Sequence, residues 1–199
     1  RLVQNSSSCL PTTAAIRSRM EVTPTKDVNL SEVIKESLLI AGARINRFKV
    51  DKELPEMAKI SCYRSRIGQV ITNILVNAAD AIVERSETEQ ESSSSSFRGH
   101  ITIKCIRADK NNQKGFEIII TDNGTGIPED IQDTIFDRFY TSKQAGKGTG
   151  LGLTLSAEIV KDHGGRITIN NENAAEGACF ILWLPVEMPK TDHGYHAAS

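Results

Sequence analysis

The sequence predicts an α/β fold, a two-layer sandwich in which a mixed, mainly antiparallel sheet carries helices on one face. Helical and strand periodicities alternate along the chain: apolar residues recur at helical spacing in 30–45, 67–82 and 151–162, and short apolar runs fall at 101–107, 116–121 and 178–184. The last two strands, near 166–170 and 178–184, are separated only by a turn around Asn173–Gly177, which suits an antiparallel pair. A length of 199 residues with 39% hydrophobic and 25% charged residues fits one packed domain with short appendages.

Residues 1–27 are rich in Ser and Thr, with a weak helical pattern around Ala14–Met20, and read as a linker or the stump of a preceding element. Asn29-Leu-Ser-Glu32 opens a helix, because Asn29 can accept from the first free N–H groups and Glu32 can reach back. Leu30, Val33, Ile34, Leu38 and Ala41 carry that helix to about Ile45. Two short strands are expected at 48–53 and 58–62, on either side of Leu54-Pro55-Glu56. From Ser65 to about Val83, Ile67, Val70, Ile71, Ile74, Leu75, Ala78, Ala81 and Ile82 make a broad apolar helical face. Residues 84–99 are polar, with five consecutive serines at 92–96, and read as a flexible insertion. After the strands at 101–107 and 116–121 come a Gly-rich turn, a short helix following Pro128, and a mixed segment at 136–149. A helix over 151–162 is stopped by Gly164-Gly165, and the closing strands follow. The domain is expected at 28–187, with 188–199 as a loose tail.

A net charge of −1 gives no electrostatic footprint for nucleic acid. No apolar run approaches the roughly 20 residues that span a bilayer. The chain begins at Arg1-Leu2-Val3, without an initiator Met or a leader-like segment, and reads as a piece of something longer. Cys9, Cys62, Cys105 and Cys179 form no C-x-x-C pair, so zinc and redox motifs are unsupported and buried free thiols are expected. The histidines His100, His163, His193 and His196 show no convincing ligand spacing.

Chemistry is concentrated in segments spread over separate elements. Asn73, Asn77 and Asp80 share one helical stripe beside an apolar face. An amide oxygen is a hard, neutral ligand suited to Mg²⁺ that already carries phosphate oxygens and waters. Alone, the segment is better described as the solvated face of an amphipathic helix. Asp122 ends a strand and opens Asp122-Asn-Gly124-Thr-Gly126-Ile127-Pro128. Its carboxylate can accept from an exocyclic amine such as that of adenine, and the glycines permit close approach to a flat ring or positive φ; an ordinary Asp-Asn-Gly turn is the rival. Gly146, Gly148, Gly150 and Gly152 abut a helix start, where free backbone N–H groups cradle anions, with Thr149 and Lys147 adding a hydroxyl and a charge. Neither the Walker pattern nor G-x-G-x-x-G is met. Between these lies Phe136-Asp-Arg-Phe139-Tyr-Thr-Ser-Lys143, whose aromatics could anchor a lid or simply pack a short helix.

With these motifs in this order, residues 28–186 resemble the ATP-binding catalytic domain of sensor histidine kinases, within the gyrase, heat-shock chaperone, histidine kinase and MutL superfamily. The resemblance implies the Bergerat-type fold, with about three helices on one sheet face, and ATP and Mg²⁺ as cofactors. It implies that Asn77 coordinates the metal and that Asn73, Asn77 and Lys143 are the catalytic set. Asp122 reads the adenine amine with Gly124, Gly126 and Ile127 beside the base, and Gly148, Thr149, Gly150, Leu151 and Gly152 hold phosphate. Asp80, Phe139 and Lys143 complete the nucleotide-binding residues, and Gly177 matches a further family glycine more loosely.

Hydrolytic members of the superfamily carry Glu where this chain has Asn73, and an amide cannot take a proton from water, so transfer to a protein acceptor is expected over hydrolysis. No His occurs in residues 1–99, so the phosphoacceptor His of the family's upstream dimerisation hairpin is not in this sequence; residues 1–27 would be at most the remnant of that hairpin. The implied partners are that acceptor domain and, indirectly, a response-regulator receiver domain, in a homodimeric full-length protein. A cytoplasmic location is implied, with membrane anchoring of the longer protein compatible with it. His163, in Asp-His-Gly-Gly, is expected to close a helix. A Ser/Thr kinase of the anti-sigma or mitochondrial dehydrogenase-kinase type shares the ATP site, and a non-catalytic nucleotide-sensing module is the alternative of another class.

Overall fold

The computed structural model describes residues 23–91, 97–137, 140, 150–170 and 177–189. Strand β1 (Thr25–Asn29) leads into α1 (Leu30–Ile45), followed by β2 (Lys49–Glu53), β3 (Lys59–Cys62) and the long α2 (Arg64–Glu91). Then come β4 (His100–Arg107), β5 (Gly115–Asp122), two 3₁₀ turns at Glu129–Ile131 and Thr134–Phe136, α3 (Gly152–Asp162), β6 (Arg166–Ile169) and β7 (Cys179–Pro185). The main sheet has the order β2-β4-β5-β7-β6, with β2 parallel to β4 and every other neighbour antiparallel. This is the mixed sandwich that the sequence predicts. No described helix is long and apolar enough to cross a membrane.

One face of the sheet makes the core. Ile101, Ile103 and Cys105 of β4, Ile118 and Ile120 of β5, and Phe180, Leu182 and Leu184 of β7 are buried at alternate positions. They join Ile67, Val70, Ile71, Ile74, Leu75 and Ile82 of α2 and Ile159 and Val160 of α3 in one apolar cluster. Asn29 caps α1 as expected, its Oδ1 accepting from Ser31 N–H at 3.1 Å. Glu32 does not complete a capping box; it lies 3.9 Å from the Arg64 guanidinium. Cys62, Cys105 and Cys179 are buried free thiols, and burial pushes Cys105 up to about 11.

Two expectations need correction. The stretch 1–27 is not linker throughout: Thr25–Asp27 belong to β1, which pairs antiparallel with β3 through a bulge in a separate two-stranded sheet. Only Val28 of that strand is buried, so its alternation carries no signal. The strands expected at 48–53 and 58–62 both form, as β2 and β3, in different sheets, one on the edge beside β4 and the other against β1. Residues 84–91 continue α2 instead of opening a loop. Ile82 is the last fully buried residue there, and the extension is held by polar contacts: Arg85 Nε donates to Glu89 Oε1 at 2.8 Å and Thr88 Oγ1 to the Glu84 carbonyl at 3.0 Å. Residues 1–22, the serines at 92–96 and the tail from 190 lie outside the described residues.

Candidate nucleotide site

Helix α2 presents Asn73, Asn77 and Asp80 along one stripe, all half-buried. Asn73 Nδ2 donates to the Gly152 carbonyl at 3.3 Å and to Ser156 Oγ at 3.4 Å, while Ser156 Oγ donates to the same carbonyl at 2.8 Å. The amide of Asn73 therefore clamps α2 to the first turn of α3. Asn77 has no hydrogen-bond partner among the described residues, unlike Asp80, which pairs with Arg44 of α1 at 2.9 Å.

Asp122 lies at the carboxyl end of β5 and is only 5% exposed. Its Oδ1 accepts from Gly124 N–H at 2.8 Å and Ala178 N–H at 3.4 Å. Burial outweighs both hydrogen bonds and pushes the carboxyl up to about 6. Above that pH the charge is retained, and Oδ2 has no hydrogen-bond partner among the described residues.

Close packing explains two of the glycines. A Cβ on Gly124 would sit 2.6 Å from the Ala81 Cβ and 2.8 Å from the Ile82 nitrogen, so the loop lies directly on α2. A Cβ on Gly177 would overlap the Asp122 carbonyl, so only glycine lets β7 start close enough for Ala178 to donate to Asp122. Gly126 adopts positive φ, at 74°, and so does Gly150, at 63°. At Gly124 the absent side chain thus serves a helix–loop contact. Ile127 packs on the core as a partly buried residue, as do Phe136 and Tyr140. Gly150, Leu151 and Gly152 lead into α3, and Thr154 Oγ1 donates to the Asp137 carbonyl at 2.9 Å, tying that helix start to the second 3₁₀ turn. Phe139, Lys143, Gly148 and Thr149 lie outside the described residues.

The far end of α3 is fixed to the near end of α2. His163, 1% exposed, donates from Nδ1 to the Ile159 carbonyl at 2.7 Å, and its Nε2 accepts from Tyr63 N–H at 3.1 Å. This pairing holds the ring as a neutral Nδ1–H tautomer and makes it the helix cap that the sequence suggests.

Residues that sequence reasoning missed are those acting across distance. Asn123 Oδ1 accepts from His100 N–H at 2.7 Å and its Nδ2 donates to the Arg98 carbonyl at 2.9 Å, fixing the loop after Asp122 to the start of β4. Its place inside the Asp-Asn-Gly motif was the available signal. Ser156 and Arg85 carried none.

Residues 62–188 match the family model described as histidine kinase-, DNA gyrase B- and HSP90-like ATPase, which covers more than half of the chain. This chain belongs to that family. As a member of this ATPase family it is an ATP-binding domain, and its relatives narrow the branch. It is 31% identical to the nitrogen regulation protein NtrY of Azorhizobium caulinodans over 82% of this chain and 20% of that protein. It is 32% identical to the sensor histidine kinase ZraS of Escherichia coli K12, over 83% of this chain and 32% of that one. Among solved structures, the catalytic domain of histidine kinase ThkA matches with a TM-score of 0.62 and 28% identity, covering 83% of this chain and 99% of that one. A mycobacterial sensor histidine kinase, MprB, matches with a TM-score of 0.65 and 26% identity, covering 81% and 97%. The chain thus spans a fifth to a third of the length of these curated relatives and nearly the whole of the two solved chains. Within the ATPase family it is a histidine kinase-type ATP-binding catalytic domain.

Proposed function

We propose that this domain transfers the γ-phosphoryl group of Mg·ATP to a His on a separate helical dimerisation domain, as the catalytic part of a two-component sensor histidine kinase. The observation that supports the reading is the clamp from Asn73 to Gly152, which sets the helix bearing Asn77 beside the glycine-led start of α3. Asn77, half-buried and without a partner among the described residues, fits a Mg²⁺ that arrives with phosphate oxygens; no cluster of three His, Cys, Asp or Glu that could hold a metal occurs among the described residues. Mg²⁺, when bound, would neutralise the charge of the phosphates. Asp122 would accept from the adenine amine through Oδ2, held in place by Gly124 and Ala178. Gly148, Gly150 and Gly152 would leave backbone N–H groups open to phosphate, and Lys143 and Phe139 would close over it.

Asn73 favours transfer over hydrolysis. Its nitrogen is committed to α3, and an amide oxygen is too weak a base to activate water. Of the described histidines, His163 is buried and His100 pairs with Asp51 at 2.9 Å, which supports an acceptor on another domain.

Incubated with γ-labelled ATP and Mg²⁺, this chain alone is expected to incorporate no acid-labile phosphate. Adding a His-bearing dimerisation hairpin from a relative such as ZraS should give acid-labile, alkali-stable label on the hairpin. Hydroxyl-linked, acid-stable phosphate on an added protein would instead identify a Ser/Thr kinase.

A further inference from the structure

The polar extension of α2 has a counterpart across the loop that follows Asp122. Besides Glu89, Arg85 reaches the Asn123 carbonyl, to which its Nη1 donates at 3.2 Å, and its guanidinium lies 5.0 Å from the centre of the Phe97 ring. The side chain is 20% exposed, and Phe97 packs partly buried against the core. Arg85, Thr88, Glu89, Gly124 and Thr125 line a cleft of about 420 Å³ between the helix extension and this loop. Asn123 is itself fixed on its other side by His100 and Arg98, and Gly124 rests on Ala81 and Ile82. The loop is thus gripped from two directions at the residue next to Asp122.

We infer that Arg85 is a positioning residue for base recognition: it holds the main chain at Asn123, and through it the Asp122 carboxylate, at the distance from α2 that the adenine amine requires. This rests on the reading of Asp122 as the acceptor of that amine. A guanidinium suits the task because its planar fork donates to a carboxylate and a carbonyl at once while its face stacks on an aromatic ring; a lysine ammonium cannot do all three. A hydrogen bond to a charged acceptor is steeply sensitive to distance and direction. Loosening the loop should therefore cost recognition of the amine and leave phosphate binding intact.

The test compares ATP with purine riboside triphosphate, which lacks the exocyclic amine, by calorimetry on wild type, Arg85→Ala, Arg85→Lys and Asp122→Ala. Wild type should prefer ATP by about tenfold, the weight of one good hydrogen bond. Arg85→Ala should lose most of that preference through weaker ATP binding, with the analogue bound as before, and Arg85→Lys should be intermediate. In a transfer assay the KM for ATP should rise while kcat holds. Equal weakening of both nucleotides, or a lowered Tm with the preference intact, would make Arg85 merely structural and overturn the inference. An Asp122→Ala protein that keeps the preference would overturn instead the assignment of the base reader, so the two failures are distinguishable.

Discussion

At the scale of a single residue, Asp122 illustrates how a site can work against the stability of its own fold. A carboxyl raised from 3.8 to about 6 by burial binds its proton more tightly in the folded chain than in the unfolded one. Between those values the folded state holds more protons at this group, so its contribution to stability is greatest below about pH 4 and falls as the pH rises to 6. The ionised carboxylate then costs up to about 3 kcal/mol, an upper bound for a group with some solvent access. Asp122→Asn keeps an oxygen for Gly124 and Ala178 but loses the charge. It should unfold at higher urea than wild type at pH 7.5, by about 1–2 kcal/mol, and the gain should vanish near pH 4. The same protein should bind ATP more weakly, since an amide N–H would face the adenine amine. Wild-type affinity should decline as the pH drops through 6, and the ratio of the two proteins' affinities cancels the titration of the phosphate itself. Equal stability at pH 7.5 would mean the carboxylate is better solvated than its burial indicates. Asp122 was legible in the sequence because a carboxylate at a strand end beside two glycines is an unusual local pattern. The contacts of Asn123 and the tight space around Gly177 were not, because both are set by residues far away in sequence.

At the scale of elements, hydrophobic periodicity recovered every helix and strand with a buried face, whereas β1 and the last two turns of α2, which lack one, escaped it. Helix α2 was readable to Val83 because Ile67 through Ile82 recur on one side. Its last two turns rest on Arg85, Thr88 and Glu89, whose polarity looks the same in a loop. Strand β1 buries Val28 alone. The junction of α2 with the loop after β5 depends on a missing side chain, and Gly124→Ala tests it. The added methyl would meet the main chain of Ala81 and Ile82, which cannot move without shifting α2. Overpacking of this kind should cost about 1–3 kcal/mol in urea unfolding and weaken ATP binding, because the displaced loop carries Asp122. If both stay within error of wild type, the loop is not seated on the helix as described.

At the scale of the whole molecule, the candidate ligand groups come from three places that the fold must bring together: Asn77 on α2, Asp122 at the end of β5, and the glycines before α3. An unfolded chain cannot present them jointly, so nucleotide should bind the folded state alone and stabilise it by mass action. At a concentration one hundred times Kd, the gain is about 2.7 kcal/mol. For a domain of this size each kcal/mol raises Tm by about 2–4 °C, so saturating Mg·ATP should shift it by about 5–10 °C. The metal's share is separable: if Asn77 ligates Mg²⁺, chelating the metal should remove part of the shift in wild type and almost none in Asn77→Ala, while Asp122→Ala should reduce the shift whether or not metal is present. Differential scanning fluorimetry of the three proteins, with ATP in Mg²⁺ or in chelator, reads both differences. A metal-dependent increment in Asn77→Ala as large as in wild type would assign the cation to other ligands and remove Asn77 from the site.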